Sequence, residues 1–259
     1  MARKKRVLVI VPFPMTEEQL GFRQQQHASL DFGPDIEFDY RPVRAAGGNL
    51  VSPYDWSIGD IVILEAGLSA QEDGYDAVCI DTVSDSGVAA LRTILDIPVI
   101  GPGRASFLLA MLLGDKFGVL AMWDRWSGLY KKTLEELGIG HKFVGVHSID
   151  AGVDNRNLLS GKEEETFGQL EEGCWALIND RGADVICLGS TSMHQAHVHL
   201  SGKIPVPIIN PGPVSYKLAE AVLGLGLSHS RQYYKPPIVR VDETLRAMLD
   251  GAVEVQKNP

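Results

Sequence analysis

Two stretches of this chain repeat each other. Asp76-Ala-Val-Cys-Ile-Asp-Thr-Val-Ser84 and Asp184-Val-Ile-Cys-Leu-Gly-Ser-Thr-Ser192 share the pattern D-x-[VI]-C-[IL]-x-[TS]-x-S, with the second copy 108 positions after the first. A second pair follows in the same order. Pro98-Val-Ile-Gly-Pro-Gly-Arg-Ala-Ser-Phe-Leu-Leu-Ala-Met-Leu-Leu-Gly114 matches Pro207-Ile-Ile-Asn-Pro-Gly-Pro-Val-Ser-Tyr-Lys-Leu-Ala-Glu-Ala-Val-Leu-Gly224, 109 positions on. Two matches at nearly one offset describe two equivalent α/β halves related by a pseudo-twofold axis. Each first stretch is a short Val- and Ile-rich run that stops at small hydroxyl residues. Such a run reads as a buried parallel strand delivering Thr82 and Ser84, or Ser190 and Ser192, to its carboxyl end.

The rest of the chain alternates in the same way. In the first half, strands are expected at Arg6–Val11, Asp35–Arg41, Ala77–Ile80 and Pro98–Ile100. Helices are expected from Thr16 to about Leu30, Trp56 to Asp73, Asp85 to Leu95 and Arg104 to Leu113. In the second half, strands at Phe117–Met122, Lys142–His147, Val185–Leu188 and Ile208–Ile209 alternate with helices at Ser127–Leu137, Glu163–Arg181, Thr191–Leu200 and Pro213–Leu223. The segment from Ser148 to Lys162 reads as loop. An amphipathic helix from Asp242 to Val255 closes the chain as an outer brace. The expected fold is α/β: two pseudo-twofold-related, flavodoxin-like domains with parallel sheets and a site in the cleft between them. The expected division is 1–103 plus 213–259 for one domain and 104–212 for the other, with the helix after Pro213 returning to the first half.

Composition narrows the function classes. The 259 residues are 45% hydrophobic and 22% charged, with a net charge of −9. That charge argues against nucleic acid as the main partner. No apolar run reaches the roughly 18 residues of a membrane span. Three cysteines, two on expected buried strands, point to a reducing compartment without a disulfide framework. The expected location is cytoplasmic.

In parallel sheets, ligands sit outside the carboxyl ends of the strands. The loops there are Pro12–Met15, Thr82–Asp85, Trp123–Trp126 and Ser190–His194. Thr82-Val-Ser84 and Ser190-Thr-Ser192 each lead into a helix, whose free N–H groups and positive dipole end cradle a carboxylate or enolate. One such cluster alone would read as a helix cap; its duplication favours a site for a small anionic molecule held from both sides. Candidate substrate contacts are Pro12, Phe13, Val83, Ser84, Trp123, Thr191 and Ser192. Candidates for the chemistry are Thr82, Ser190, Asp81 and His194, the last four residues beyond Ser190 and so within reach as a Ser–His pair. Asp85 also flanks the first cradle, and Arg104 could pair with a substrate carboxylate or lie exposed. Cys79 and Cys187 read as core residues inside their strands. His194, His197 and His199 have no carboxylate at metal-ligand spacing, and 197 and 199 do not share a helix face, so no metal is expected. No cofactor is expected.

These residues carry a resemblance to the aspartate/glutamate/hydantoin racemase superfamily, in particular its hydantoin and allantoin racemase branch. Ile80-Asp-Thr-Val-Ser-Asp-Ser-Gly87 stands where those enzymes have an I-A-C-F-x-D-P-G type motif. Leu188-Gly-Ser-Thr-Ser-Met193 stands where they have L-G-C-x-G-M, and Lys217-Leu-Ala-Glu-Ala-Val-Leu-Gly-Leu-Gly-Leu227 resembles their K-L-A-E-x-L-x-x-L-G-L. The resemblance implies two-thiol proton transfer across a substrate, but Thr82 and Ser190 occupy the matched cysteine positions. The N-P-N-T motif is altered too, to Val11-Pro-Phe-Pro14. The implied function is a cofactor-independent isomerase for a small carboxylate or cyclic ureide, with a non-cysteine acid/base arrangement. The implied assembly is a homo-oligomer. Two rivals stand beside it: a decarboxylase or lyase like arylmalonate decarboxylase, and a non-catalytic small-anion binding protein.

Overall fold

A computed structural model describes residues 3–28, 30–45, 49–151 and 163–257. The first half contains β1 (Lys5–Val11), α1 (Glu17–Ala28), β2 (Ile36–Pro42), α2 (Pro53–Gly67), β3 (Ala77–Ile80), α3 (Val88–Ile94), β4 (Val99–Ile100) and α4 (Pro102–Leu113). The second contains β5 (Phe117–Ala121), α5 (Ser127–Leu137), β6 (Phe143–Ser148), α6 (Glu163–Asn179), β7 (Val185–Leu188), α7 (His194–Ser201), β8 (Ile208–Ile209) and α8 (Pro211–Gly224). The last helix, α9 (Asp242–Lys257), follows a long irregular segment.

The strands form two four-stranded sheets, β2-β1-β3-β4 and β6-β5-β7-β8, parallel throughout. One order is the copy of the other. β3, β5 and β7 are buried along their whole length, as is β1 beyond its first two residues, which is why these segments are apolar runs rather than alternating ones.

The halves exchange a helix. α4 follows β4 of the first sheet but packs on β7 of the second, while α8 follows β8 and packs on β3 of the first. Two cysteines mark the exchange. Cys79 Sγ lies 3.6 Å from the Ser215 carbonyl on α8, and Cys187 Sγ lies 3.8 Å from the Ser106 carbonyl on α4. Both thiols are fully buried, and burial pushes their ionisation far up, so they act as small core residues.

Several element ends differ from the sequence reading, each for a local reason. α2 starts at Pro53 rather than Trp56, because Ser52 and Asp55 form a reciprocal capping box with proline at the first helical position. α3 is shorter, starting at Val88, because Asp85 and Gly87 both have positive φ. The helix read from Thr191 is a 3₁₀ turn over Thr191–Met193 running into α7. From residue 152 on, the loop expected at 148–162 lies outside the described residues. α9 lays Leu245, Leu249, Ala252 and Val253 against α2, tied by Arg44 to Glu65 (2.7 Å) and Asp250 (2.6 Å).

Candidate active site

Both hydroxyl clusters open onto one cavity. It is lined from the first half by Pro12, Phe13, Arg23, Asn49, Leu50, Asp81, Thr82, Val83 and Ser84. From the second half come Trp126, Leu129, Gly189, Ser190 and Thr191. Its volume is about 30 Å3, room for about two water molecules.

The two clusters have one internal geometry. Thr82 Oγ1 lies 3.1 Å from Ser84 Oγ, and the Ser84 N–H points back to Thr82 Oγ1 at 3.5 Å. Ser190 Oγ lies 2.7 Å from Ser192 Oγ and accepts the Ser192 N–H at 3.1 Å. The first cluster runs one step deeper, to Ser86 Oγ, 2.8 Å from Ser84 Oγ. Each leading hydroxyl thus has polar hydrogen at its back, where it would support negative charge on its oxygen or on a ligand atom before it.

A third feature has no echo in the sequence. Arg23, on α1, is 2% exposed, and Asp81 is equally buried beside it, with Nη1 and Oδ2 3.3 Å apart. The same Nη1 donates to Thr191 Oγ1 at 3.1 Å, and Thr191 Oγ1 donates to the Asp81 carbonyl at 3.1 Å. Neither carboxylate oxygen of Asp81 is in hydrogen-bonding geometry with a donor among the described residues. Burial pushes this carboxyl upward; Arg23 and the Thr191 hydroxyl pull against it.

Pro12, Phe13, Val83 and Thr191 line the cavity with the leading hydroxyls, and Ser192 backs Ser190. Trp126, not Trp123, forms the indole wall, held by its Nε1–H to the Asn49 carbonyl at 2.9 Å. Trp123 packs edge-on against Trp126, beneath the Arg125 guanidinium. His194 stands off the lining: its Nδ1 faces Asn210 Nδ2 at 2.9 Å, and burial lowers its pKa. Asp85 turns away, accepting the N–H groups of Gly103 (2.8 Å) and Arg104 (2.7 Å) at the start of α4. Arg104 itself pairs with Glu136 at 3.0 Å. Among the described residues, no cluster of three histidine, cysteine or acidic side chains is set to hold a metal. No helix there is long and apolar enough to cross a membrane.

Arg23, Asn49, Leu50 and Leu129 were not singled out by sequence. A lone arginine in a polar helix reads as surface, and Asn49 acts through its backbone carbonyl. Only the fold brings them to the strand ends.

The Asp/Glu/hydantoin racemase family model matches residues 25–219. A hydantoin racemase from Pseudomonas sp. (strain NS671) is 25% identical over 190 residues, covering 73% of this chain and 75% of that protein. The allantoin racemase from Klebsiella pneumoniae superposes with a TM-score of 0.81 at 22% identity, covering 92% of this chain and 95% of the other. Arylmalonate decarboxylase superposes with a TM-score of 0.58 at 17% identity, covering 86% and 94%. The structural likenesses speak for the fold.

Proposed function

The chain belongs to the Asp/Glu/hydantoin racemase family, and on that premise we propose that it is a cofactor-independent isomerase. Its substrate is a small carboxylate or cyclic ureide whose α-carbon passes through an enolate-like anion, and its entry requires the cavity walls to part from their spacing in this structure. The supporting observation is the placement of Thr82 and Ser190: equivalent strand ends bring them to one cavity, each backed by a hydroxyl and an N–H two residues on. In this reading the two hydroxyls stand where the family's thiols stand. They donate to the anion from opposite halves and are held ready before the charge develops. A free hydroxyl is too weak an acid to abstract an α-proton without a base. Asp81 is the buried carboxylate at the cavity, and we assign it that base; the Ser190 hydroxyl returns a proton from the opposite half, and the proton held by Asp81 then restores that hydroxyl through solvent. His194 lies one turn beyond the Ser190 cradle and supports the loop through Asn210.

A second reading is a decarboxylase on the same scaffold. What favours it is the lack of a thiol among the described residues around the cavity. Loss of carbon dioxide needs a stabilised anion and a returning proton, but no base to start it. Proton NMR in deuterated water separates the readings, with a panel of hydantoins, allantoin, amino acids, malonates and hydroxy acids. Exchange of an α-proton with carbon retained supports the isomerase. Release of carbon dioxide from a malonate supports the second reading. Binding of a panel member without either, unchanged in Ser190→Ala, would overturn both in favour of a binding protein.

A further inference from the structure

We propose that Arg23 is the positioning residue of this site, a clamp whose single nitrogen Nη1 ties the buried Asp81 of the first half to the Thr191 loop of the second. The inference deepens the functional reading above and rests on it for the role of Asp81. The geometry is closed on three sides. Nη1 faces Asp81 Oδ2 at 3.3 Å and donates to Thr191 Oγ1 at 3.1 Å, and Thr191 Oγ1 donates back to the Asp81 carbonyl at 3.1 Å. Thr191 sits between Ser190 and Ser192, so the second cradle is registered against the first strand end through this one hydroxyl. The clamp is also the local charge balance. Among the described residues, the groups facing Asp81 are Arg23 from α1, Tyr40 from β2, Cys79 from β3, Tyr216 from α8 and Thr191 from the loop before α7. Burial holds both tyrosines and the cysteine neutral, so Arg23 is the cation of the set.

This makes Arg23 more than a core filler. A filler can be replaced by an uncharged side chain of similar volume with no effect on a neighbour's proton. Arg23 cannot, because Asp81 would be left buried without a compensating charge.

The test is carboxyl carbon NMR of aspartate-labelled protein across pH, with Asp81→Asn identifying the Asp81 signal. It needs no substrate, so its failure is separate from failure of the functional reading. In Arg23→Gln, folded by circular dichroism, the Asp81 midpoint should rise by about 2 pH units, and Arg23→Lys should recover most of that rise. Thr191→Val should raise the Asp81 midpoint by less than Arg23→Gln does, while amides 189–193 exchange about tenfold faster. A folded Arg23→Gln with Asp81 titrating as in the native protein would overturn the charge role. If Arg23→Gln does not fold, Thr191→Val decides: native exchange rates at 189–193 would overturn the clamp.

Discussion

Thr82 and Ser190 hold the same place in their halves. Each follows the third strand of its sheet, and each leading oxygen meets the hydroxyl two residues on, at 3.1 Å for Ser84 and 2.7 Å for Ser192. Their neighbours differ: Ser84 continues to Ser86, whereas Thr191 is taken by Arg23 and the Asp81 carbonyl. The two faces are therefore alike where they open on the cavity and unlike behind it.

Thr82→Val and Ser190→Ala keep the packing volume nearly unchanged and remove one donor each. Each should cost about 10²–10³-fold in turnover while leaving circular dichroism and melting nearly as they were. Steady-state rates on the exchanging substrate check this.

His194 supplies a contrast. Its Nδ1 is occupied by Asn210 and its ring stands outside the cavity lining. His194→Asn should lower turnover by less than about tenfold, well short of a lost general base. A loss equal to that of Ser190→Ala would return the histidine to a direct role.

Stability should depend strongly on the buried pair. Arg23→Ala leaves Asp81 unpaired in the core and should destabilise the fold by about 3–5 kcal/mol, read from urea unfolding. The double variant Arg23→Met with Asp81→Leu should recover most of that loss, since an apolar pair of similar size requires no desolvated charge.

Asp85 gives a pH dependence with a defined sign. Burial, opposed by the N–H bonds from Arg104 and Gly103, raises its carboxyl from an ordinary 3.8 to about 6. Folding therefore takes up a proton between those values. The group's contribution is complete below about 3.8 and is lost as pH rises through about 6. Asp85→Asn should flatten the part of the stability–pH curve between pH 4 and 6, measured by thermal melting.

Gly103 tests the close approach of the α4 start to the loop after β3. A Cβ built there would fall within contact distance of the Val83 carbonyl oxygen, a backbone atom that cannot swing aside. Gly103→Ala should cost about 1–3 kcal/mol and should disturb the Val83 wall of the cavity, so binding weakens together with stability.

The fold was readable because its signals are local and doubled. The apolar runs of β3 and β7, and the Pro-Gly starts of α4 and α8, repeat at one spacing, and parallel-sheet topology then places the strand ends. The hydroxyl clusters were readable for the same reason. Arg23 was not, since nothing in Gly21-Phe-Arg-Gln distinguishes a buried cation from a solvated one; its partner is 58 residues away in sequence. The choice of Trp126 over Trp123 was hidden as well. It depends on an indole N–H reaching the Asn49 carbonyl across the two halves. Asp85 was read as a possible acid beside the cradle, but its positive φ of 53° turns the carboxylate to the α4 start. Backbone sign at a single aspartate is not written in the residue pattern.

The most direct measurement is the α-proton signal of the substrate panel in deuterated water, followed with native protein and with the Thr82→Val, Ser190→Ala double variant. Exchange by the native protein with carbon retained, and its loss in a folded double variant, is the expected result. Exchange that continues undiminished in the double variant would contradict the placement of the chemistry at these two hydroxyls.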